Sequence, residues 1–275
     1  MKNILIIARK EIQEGLRNRW VVAVTLLLAS LALTLSFLGS APTGNVGAGR
    51  LDIVIVSLSS LTIFLVPLIA LLLAHDAIVG EMERGTLLLL LSYPVGRKQV
   101  VLGKFLGHTL ILSVATFVGY GAAGAALVVA GTAVDPESWI AFASMIGSSI
   151  LLGTVFIAIG YLVSASVTQR STAGGMALGI WLFFVIIYDM GLLGALVSTK
   201  GEGFSPGLLS ALLMGNPTDA YRLLNLGSQT AGSVSAIAGV AANSMLTPGL
   251  LVTSLMLWVA IPLLLAMLRF SWREL

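Results

Sequence analysis

Long apolar stretches separated by short polar segments make up most of this chain. Six of them are long enough to cross a bilayer, at residues 20–39, 51–74, 101–130, 139–163, 173–193 and 246–268. A helix needs about 20 apolar residues to span the ~30 Å hydrocarbon core. The pattern therefore predicts an all-α integral membrane protein, with six transmembrane helices forming one domain over residues 1–275.

The segment before the first stretch has a different pattern. Apolar residues recur at helical spacing, opposite a polar face that contains Lys10, Gln13, Glu14 and Arg17. The apolar stripe comprises Ile4, Leu5, Ala8, Ile12 and Leu16. This predicts an interfacial elbow helix that leads into the first span. The pattern leaves open whether the helix is only an anchor or also touches a partner.

Composition supports the membrane class and excludes several chemistries. Charged residues make up 10% of the chain and the mean hydropathy is +1.02, whereas a soluble domain carries about 25% charged residues. The chain has no cysteine, which excludes disulfides and thiolate metal sites. It also lacks the His-Glu-x-x-His and Gly-x-Ser-x-Gly motifs. We therefore expect a non-catalytic chain without a metal site.

The basic residues are distributed unequally between the two faces of the predicted bundle. All but Arg50, Lys200 and Arg222 fall on the side that holds both termini. The positive-inside rule makes this side cytoplasmic. The net charge of +3 is thereby explained by topology, and no nucleic acid partner is expected.

A charged segment interrupted by turn residues lies between spans two and three. It reads Glu81-Met82-Glu83-Arg84-Gly85-Thr86, then five leucines, then Ser-Tyr-Pro-Val-Gly-Arg. Gly85 and the Pro94–Gly96 turn interrupt the chain on both sides of the run 86–91, which is too short to span a membrane. The run must pack on the bundle or insert into a partner, and Glu81 can pair with Arg84 on a helix. A solvated loop is the alternative.

The outer face has one substantial region, near residues 194–243. Asn216 is placed as a helix N-cap, with Pro217 at the first helical position and Asp219 in the first turn. The helix carries Tyr221 and Arg222. The pattern predicts re-entrant or interfacial helices, or an ordinary loop with one capped helix.

Asp189 is a charged residue inside the fifth predicted span. Such residues are candidates for function. Near the outer end of span five, Asp189 can instead pair with Lys200 or Arg222. As a substrate-binding group it would suggest an ion-coupled secondary transporter, a different class of function. Glycine pairs such as Gly153 with Gly160, and Gly174-Gly175 with Gly179, predict close helix packing.

ATP cannot bind to this chain through a P-loop. That motif needs Gly-x-x-x-x-Gly-Lys followed by Ser or Thr, and the nearest candidate, Gly103-Lys104-Phe105, has the wrong spacing and no hydroxyl. We therefore expect no cofactor on this chain, and any dependence on ATP must come from a partner.

The charged segment, its leucine run and the Pro-Val-x-Arg that follows resemble those of ABC-2-type permeases, the membrane subunits of ABC exporters. The arm Ala8-Arg9-Lys10-Glu11 and the segment from Asn216 to Arg222 are similar too. The resemblance implies a coupling helix at Glu81, Glu83, Arg84, Gly85 and Thr86 that sits in a groove of a separate ATPase. That ATPase would hold ATP and Mg, and two copies of the permease would form a homodimer.

Within the family, the chain most resembles the permeases that serve maturation of the copper–sulfide centre of nitrous oxide reductase, an enzyme of denitrification. This implies a bacterial inner-membrane location and a periplasmic repeat protein that receives copper from a chaperone. The docking site for that protein is expected at Asn216, Pro217, Asp219, Tyr221 and Arg222. The cargo is a sulfur species, or the permease transmits motion and carries nothing.

Overall fold

The regular elements in this computed structural model are all helical. The structure describes residues 2–17, 19–38, 50–131, 134–199, 205–226 and 246–273. In chain order, the elements within these ranges are α1 Lys2–Arg17, α2 Arg19–Leu38, α3 Arg50–Ala74, α4 Val79–Glu83, α5 Thr86–Leu91, α6 Arg97–Val129, α7 Pro136–Ser166, α8 Arg170–Leu182, a π-helical turn Phe183–Ile187, α9 Tyr188–Ser198, α10 Pro206–Met214, α11 Pro217–Leu226 and α12 Pro248–Ser271. The all-α prediction is confirmed.

Five helical stretches are long and apolar enough to cross a membrane. They are Leu51–Glu83, Arg97–Val129, Pro136–Ser166, Arg170–Ser198 and Pro248–Ser271. The elbow α1 and the helix that follows it meet at a bend of 66° and count as a sixth span if taken together. The described chain thus has five or six candidate spans, and the predicted span at 20–39 corresponds to α2.

Helix α7 forms the centre of the bundle. It packs against α3, α6 and α12, and 72% of its most apolar stretch is buried. A Cβ added at Gly160 would lie 2.7 Å from the Cβ of Ala74, and one at Gly153 would lie 2.9 Å from Val66 Cγ1. The close packing predicted for these two glycines is confirmed.

The stretch α8–α9 lies at the periphery instead. Only 11% of its most apolar window is buried. A Cβ at Gly175 or Gly179 would meet nothing within 4 Å. These glycines therefore do not serve close packing within the described chain, and the face that carries them is open.

The elbow helix α1 lies directly on α6. A Cβ at Gly103 would lie 2.7 Å from Ile7 Cβ, and one at Gly107 would lie 2.6 Å from Glu11 Cβ. The buried residues of α1 are Ile7, Ala8 and Glu11, while Leu5 and Leu16 are exposed. The predicted helix is present. Its contact with the bundle uses a different face from most of the apolar stripe, because the glycines of α6 admit the face of Ile7 and Glu11.

The outer region contains the short helices α10 and α11. Helix α11 packs against α3, α7 and α12, so it is an integral part of the bundle and not an ordinary loop. Residues 227–245, which include the last part of the predicted outer region, lie outside the described residues.

Candidate coupling site

The segment between α3 and α6 folds into two short helices, which excludes the solvated loop. Helix α4 begins where Ser164 Oγ of α7 accepts hydrogen bonds from the backbone N–H groups of Ile78 and Val79, at 2.9 and 3.1 Å. Gly85 separates α4 from α5 with a φ of 70°, the left-handed conformation that glycine adopts without strain. Helix α5 ends at Leu91, before the predicted turn.

Some leucines of α5 face the bundle and others face outward. Leu87 is buried, and Leu90 and Leu91 pack against the main core. Leu88 and Leu89 are 58% and 68% exposed. Residues three and four apart share a helix face, which explains the division. The leucine run therefore both holds α5 on the bundle and presents apolar side chains to the outside.

An exposed surface surrounds these two leucines. Tyr93 is 68% exposed, and Arg84 and Thr86 are exposed too. Arg84 forms no ion pair with any residue that the structure describes. We call Arg84, Thr86, Leu88, Leu89 and Tyr93 the coupling surface. Its mixture of apolar, aromatic and cationic side chains is typical of protein interfaces.

The two acidic residues of α4 are bound within the chain. Glu81 Oε1 accepts a hydrogen bond from Lys104 Nζ at 2.7 Å, and Glu83 Oε1 accepts one from the backbone N–H of Arg170 at 2.7 Å. The predicted Glu81–Arg84 pair is absent from the ion pairs of the described residues. The expectation that Glu81 faces a partner is wrong, because its carboxylate is largely buried beside Lys104.

Lys104 joins three elements at the inner end of the bundle. Its Nζ donates hydrogen bonds to Glu11 Oε1 of α1 and to Glu81 Oε1 of α4, both at 2.7 Å. His108, one turn further along α6, has Nε2 at 3.6 Å from Glu11 Oε2. Its Nδ1 is 2.8 Å from the Tyr161 hydroxyl of α7. We call Glu11, Glu81, Lys104, His108 and Tyr161 the coupling cluster.

Sequence reasoning missed the coupling cluster. The sequence pattern placed Lys104 only among the basic residues of the cytoplasmic side. Lys104 is 3% exposed, and a lysine buried to this degree must be paired. The spacing of Lys104 and His108, four residues apart at the start of a span, was the available signal.

A cavity of about 460 Å³ adjoins the coupling cluster. An ion pair between Arg170 Nη2 and Asp76 Oδ2, at 2.9 Å, lies in its wall. The other polar residues that line it are Glu11, Glu14, His75 and His108. In the described chain, no group of three or more His, Asp or Glu residues is arranged to hold a metal ion. The cavity is thus a polar space between the elbow helix and the coupling segment.

On the outer side, Asn216 caps α11 as predicted. Its Oδ1 accepts a hydrogen bond from the backbone N–H of Thr218 at 3.0 Å. Its Nδ2 donates to Phe184 O at 3.0 Å, and the Thr218 hydroxyl donates to the same carbonyl at 3.1 Å. Phe184 lies in the π-helical turn, where the regular bonding of the α-helix is interrupted. The capping motif therefore fastens α11 to this turn.

Asp189 is ion-paired with Arg222, one of the two partners considered. Arg222 Nη2 donates to Asp189 Oδ2, and its Nη1 donates to Asp219 Oδ1 at 2.7 Å. One guanidinium thus joins span five to α11. Burial, and then the neighbouring Asp189 carboxylate, raise the pKa of Asp219 to about 8. The arrangement indicates a structural role for Asp189.

The five residues expected to dock a periplasmic protein are mostly inside the bundle. Asn216, Pro217, Asp219 and Tyr221 are buried, and the Tyr221 hydroxyl lies 2.9 Å from Ser149 Oγ of α7. Arg222 is held by its two carboxylates. These side chains cannot form a docking surface, because α11 turns them toward α3 and α7 to satisfy their polar atoms.

Comparison with known proteins identifies the family. The family described as ABC-2 family transporter protein matches residues 5–275. The chain belongs to the ABC-2 family of transporter permeases. It is 47% identical over 276 residues to the probable ABC transporter permease protein NosY of Stutzerimonas stutzeri, covering 99% of each chain. It is 48% identical over 261 residues to the protein of the same name from Pseudomonas aeruginosa, covering 94% of each.

Membership of the family fixes the general role of the chain. An ABC permease is a multi-pass, non-catalytic membrane subunit, and it works with a partner ATPase subunit. In the permease described here, the surface that we call the coupling surface is exposed on the basic side of the bundle.

Proposed function

We propose that this permease couples ATP hydrolysis by a separate, NosF-like ATPase to maturation of the copper–sulfide site of nitrous oxide reductase. Its likeness to the two NosY permeases over nearly its whole length supports this role. A NosD-like periplasmic repeat protein receives the exported species or the transmitted motion. A NosL-like chaperone supplies copper to that protein. The permease acts as a homodimer and exports a sulfur species or transmits motion alone.

The exposure of Leu88, Leu89 and Tyr93 is the observation that supports this function best. These side chains are 58%, 68% and 68% exposed, on a cytoplasmic element too short to span the membrane. Apolar side chains are left this exposed on a water-facing element when a partner covers them. Arg84 beside them supplies charge for a contact with an acidic edge of the ATPase groove.

The coupling cluster gives a route by which motion of the ATPase reaches the membrane. Lys104 connects Glu81 of the coupling segment to Glu11 of the elbow helix. Ser164 connects the start of α4 to α7, and Glu83 connects its end to the start of α8. A displacement of α4 is therefore transmitted to α1, α6, α7 and α8 together.

The outer docking site for the periplasmic protein must use other residues than those first expected. In the outer region, Leu208 is 48% exposed on α10, next to the N-cap Ser205. We assign the docking of the repeat protein to this exposed side of α10, with α11 as its rigid support.

To test the coupling surface, the permease is co-purified with its ATPase from membranes that contain both. The double variant Leu88→Ser with Leu89→Ser should weaken ATPase binding by about thirtyfold, since an interfacial hot spot contributes about 2 kcal/mol. Copper loading of nitrous oxide reductase in cells should fall with it.

Leu16→Ser is the matched control, because Leu16 is an exposed leucine of the elbow helix α1 and lies outside the coupling surface. This variant should bind the ATPase as the wild type does. Retention of the ATPase by the double variant would contradict the coupling surface. Loss of ATPase binding with normal nitrous oxide reductase would leave the ABC role intact and refute the specific pathway.

A further inference from the structure

A second cavity, of about 280 Å³, lies at the inner ends of α7 and α12. Its lining includes no residue of the coupling surface or of the coupling cluster. Its lining residues are Ala165, Ser166, Thr168, Arg269, Trp272 and Arg273. A water molecule occupies about 30 Å³ of liquid, so the cavity has room for a ligand the size of a lipid headgroup.

Two arginines line the cavity, and none of the described residues in its lining is acidic. Arg273 donates to Ala165 O at 3.1 Å and to Val167 O at 2.6 Å, and these carbonyls are neutral. Arg269 has no ion pair or hydrogen bond among the residues that the structure describes, and none of the lining residues is acidic. Burial and the charge of Arg269 lower the pKa of Arg273, as expected for two guanidinium groups held close together.

The rest of the lining suits an anion with several acceptor oxygens. The Thr168 hydroxyl makes no hydrogen bond within the described chain, and it stands at the same cavity as Arg269. Guanidinium and hydroxyl donors are the groups that proteins use for phosphate. A phosphate group would accept from both and would reduce the repulsion between the two arginines.

Features beside the cavity indicate that the phosphate belongs to a membrane lipid. Trp272 is 79% exposed at the end of α12, and tryptophan favours the headgroup level of a membrane. Below it on the same helix face, exposed apolar side chains continue into the membrane region, at Ile261, Leu265 and Leu268. These residues are spaced at four and three positions, so they form one stripe along which an acyl chain can lie.

We infer that this cavity binds the phosphate headgroup of an anionic phospholipid from the cytoplasmic leaflet, with Arg269 as the principal recognition residue. The cytoplasmic leaflet is the one that presents anionic lipids to basic residues. Arg273 supports the site by holding the end of α7 against the end of α12.

The test is native mass spectrometry of the whole permease released from detergent after addition of phosphatidylglycerol, phosphatidylethanolamine or inorganic phosphate. The wild type should retain phosphatidylglycerol in preference to phosphatidylethanolamine. Arg269→Gln should lower the bound fraction of phosphatidylglycerol about fivefold, the effect of one basic side chain near an anionic surface. Thr168→Val should lower it to a smaller extent.

Arg9→Gln is the control, because Arg9 is an exposed arginine of the same side that does not line the cavity. It should retain phosphatidylglycerol as the wild type does. Equal loss in both arginine variants, or equal retention of the two lipids, would overturn the proposal. Displacement of the lipid by millimolar inorganic phosphate would also overturn it, since the site would then serve a free anion.

Discussion

At the scale of single residues, Lys104 is the buried cation that joins α1, α4 and α6. It is 3% exposed and contacts two carboxylates from separate elements. Burying a lysine costs several kcal/mol unless opposite charges compensate for the lost hydration. The same argument applies to Glu11 and Glu81, so the three residues stabilise the inner end of the bundle only as a set.

Replacement of Lys104 by methionine should destabilise the permease strongly. The change keeps the apolar stem but leaves Glu11 and Glu81 buried without their shared cation, which should cost about 3–5 kcal/mol in the free energy of unfolding. The measurement is denaturant unfolding in detergent, followed by circular dichroism.

Two further variants make this test specific. Lys10→Met removes a cation that is 47% exposed and should cost no more than about 1 kcal/mol. Adding Glu11→Gln and Glu81→Gln to Lys104→Met should restore most of the stability, because no buried charge is then unpaired. Equal effects of Lys104→Met and Lys10→Met would contradict the role of the cluster.

Asp219 should make stability depend on pH. Its pKa is about 8 in the folded chain and about 3.9 in an unfolded one, so between these values the folded state holds a proton that the unfolded state has lost. Stability should therefore fall as pH rises through this window and level off above it. From about pH 6 to about pH 9 the expected loss is about 2–3 kcal/mol.

To isolate this effect, Asp219→Asn is compared with Glu137→Gln. Glu137 is an exposed acidic residue on the same, outer side of the bundle. Thermal unfolding is measured across that pH range. The dependence of stability on pH should be mostly lost in Asp219→Asn and kept in Glu137→Gln. An unchanged slope in Asp219→Asn would show that this carboxyl is ionised throughout.

At the scale of elements, the contact between α1 and α6 determines where the elbow helix lies. Gly103 and Gly107 form a groove in α6 that receives Ile7 and Glu11. The groove lies next to Lys104, so the same close approach brings Glu11 within hydrogen-bonding distance of its Nζ. Packing and electrostatics therefore depend on one position of α1.

Gly103→Val should displace the elbow helix. A Cβ there would lie 2.7 Å from Ile7 Cβ and 2.9 Å from Ile4 O, and overpacking of this kind costs about 1–3 kcal/mol. ATPase-driven activity should fall as the Glu11–Lys104 contact is lost. Gly121→Val on the same helix is the control, since a Cβ there meets nothing within 4 Å. Equal stability and activity of the two variants would contradict the role of the Gly103–Gly107 groove in positioning α1.

At the scale of the whole molecule, the spanning helices differ in how much of their apolar surface the rest of the chain buries. Helix α7 is mostly buried within one chain, while α8–α9 has 11% of its apolar window buried. Gly175 and Gly179 form a small-xxx-small pair on this open helix, a pattern that favours close contact between helices in membranes. We expect the second copy of the permease to pack on this face.

Disulfide cross-linking can locate the interface, because the natural chain has no cysteine. Gly179→Cys should form a covalent dimer in oxidised membranes, since cross-linking needs Cα atoms within about 7 Å. Val118→Cys, on an exposed face of α6, should stay monomeric on a denaturing gel. Cross-linking of Val118→Cys in place of Gly179→Cys would assign the dimer interface to α6.

The sequence by itself determined the features that depend on local chemistry. Apolar length predicted the spans, and Gly85 with the turn after Leu91 predicted the limits of the short cytoplasmic helices. Asn216-Pro217 predicted the cap of α11. Each of these follows from a few neighbouring residues, since hydropathy, backbone conformation and capping act over short distances along the chain.

Only the tertiary structure decided which way the polar side chains face. Glu11 and Lys104 are 93 positions apart, and Tyr221 and Ser149 are 72 apart, so no local pattern indicates that they meet. Glu81 therefore looked like a surface charge and Tyr221 like a docking residue, although each forms a hydrogen bond inside the bundle. A helix exposes whichever face its neighbours leave uncovered, and those neighbours are set by long-range packing.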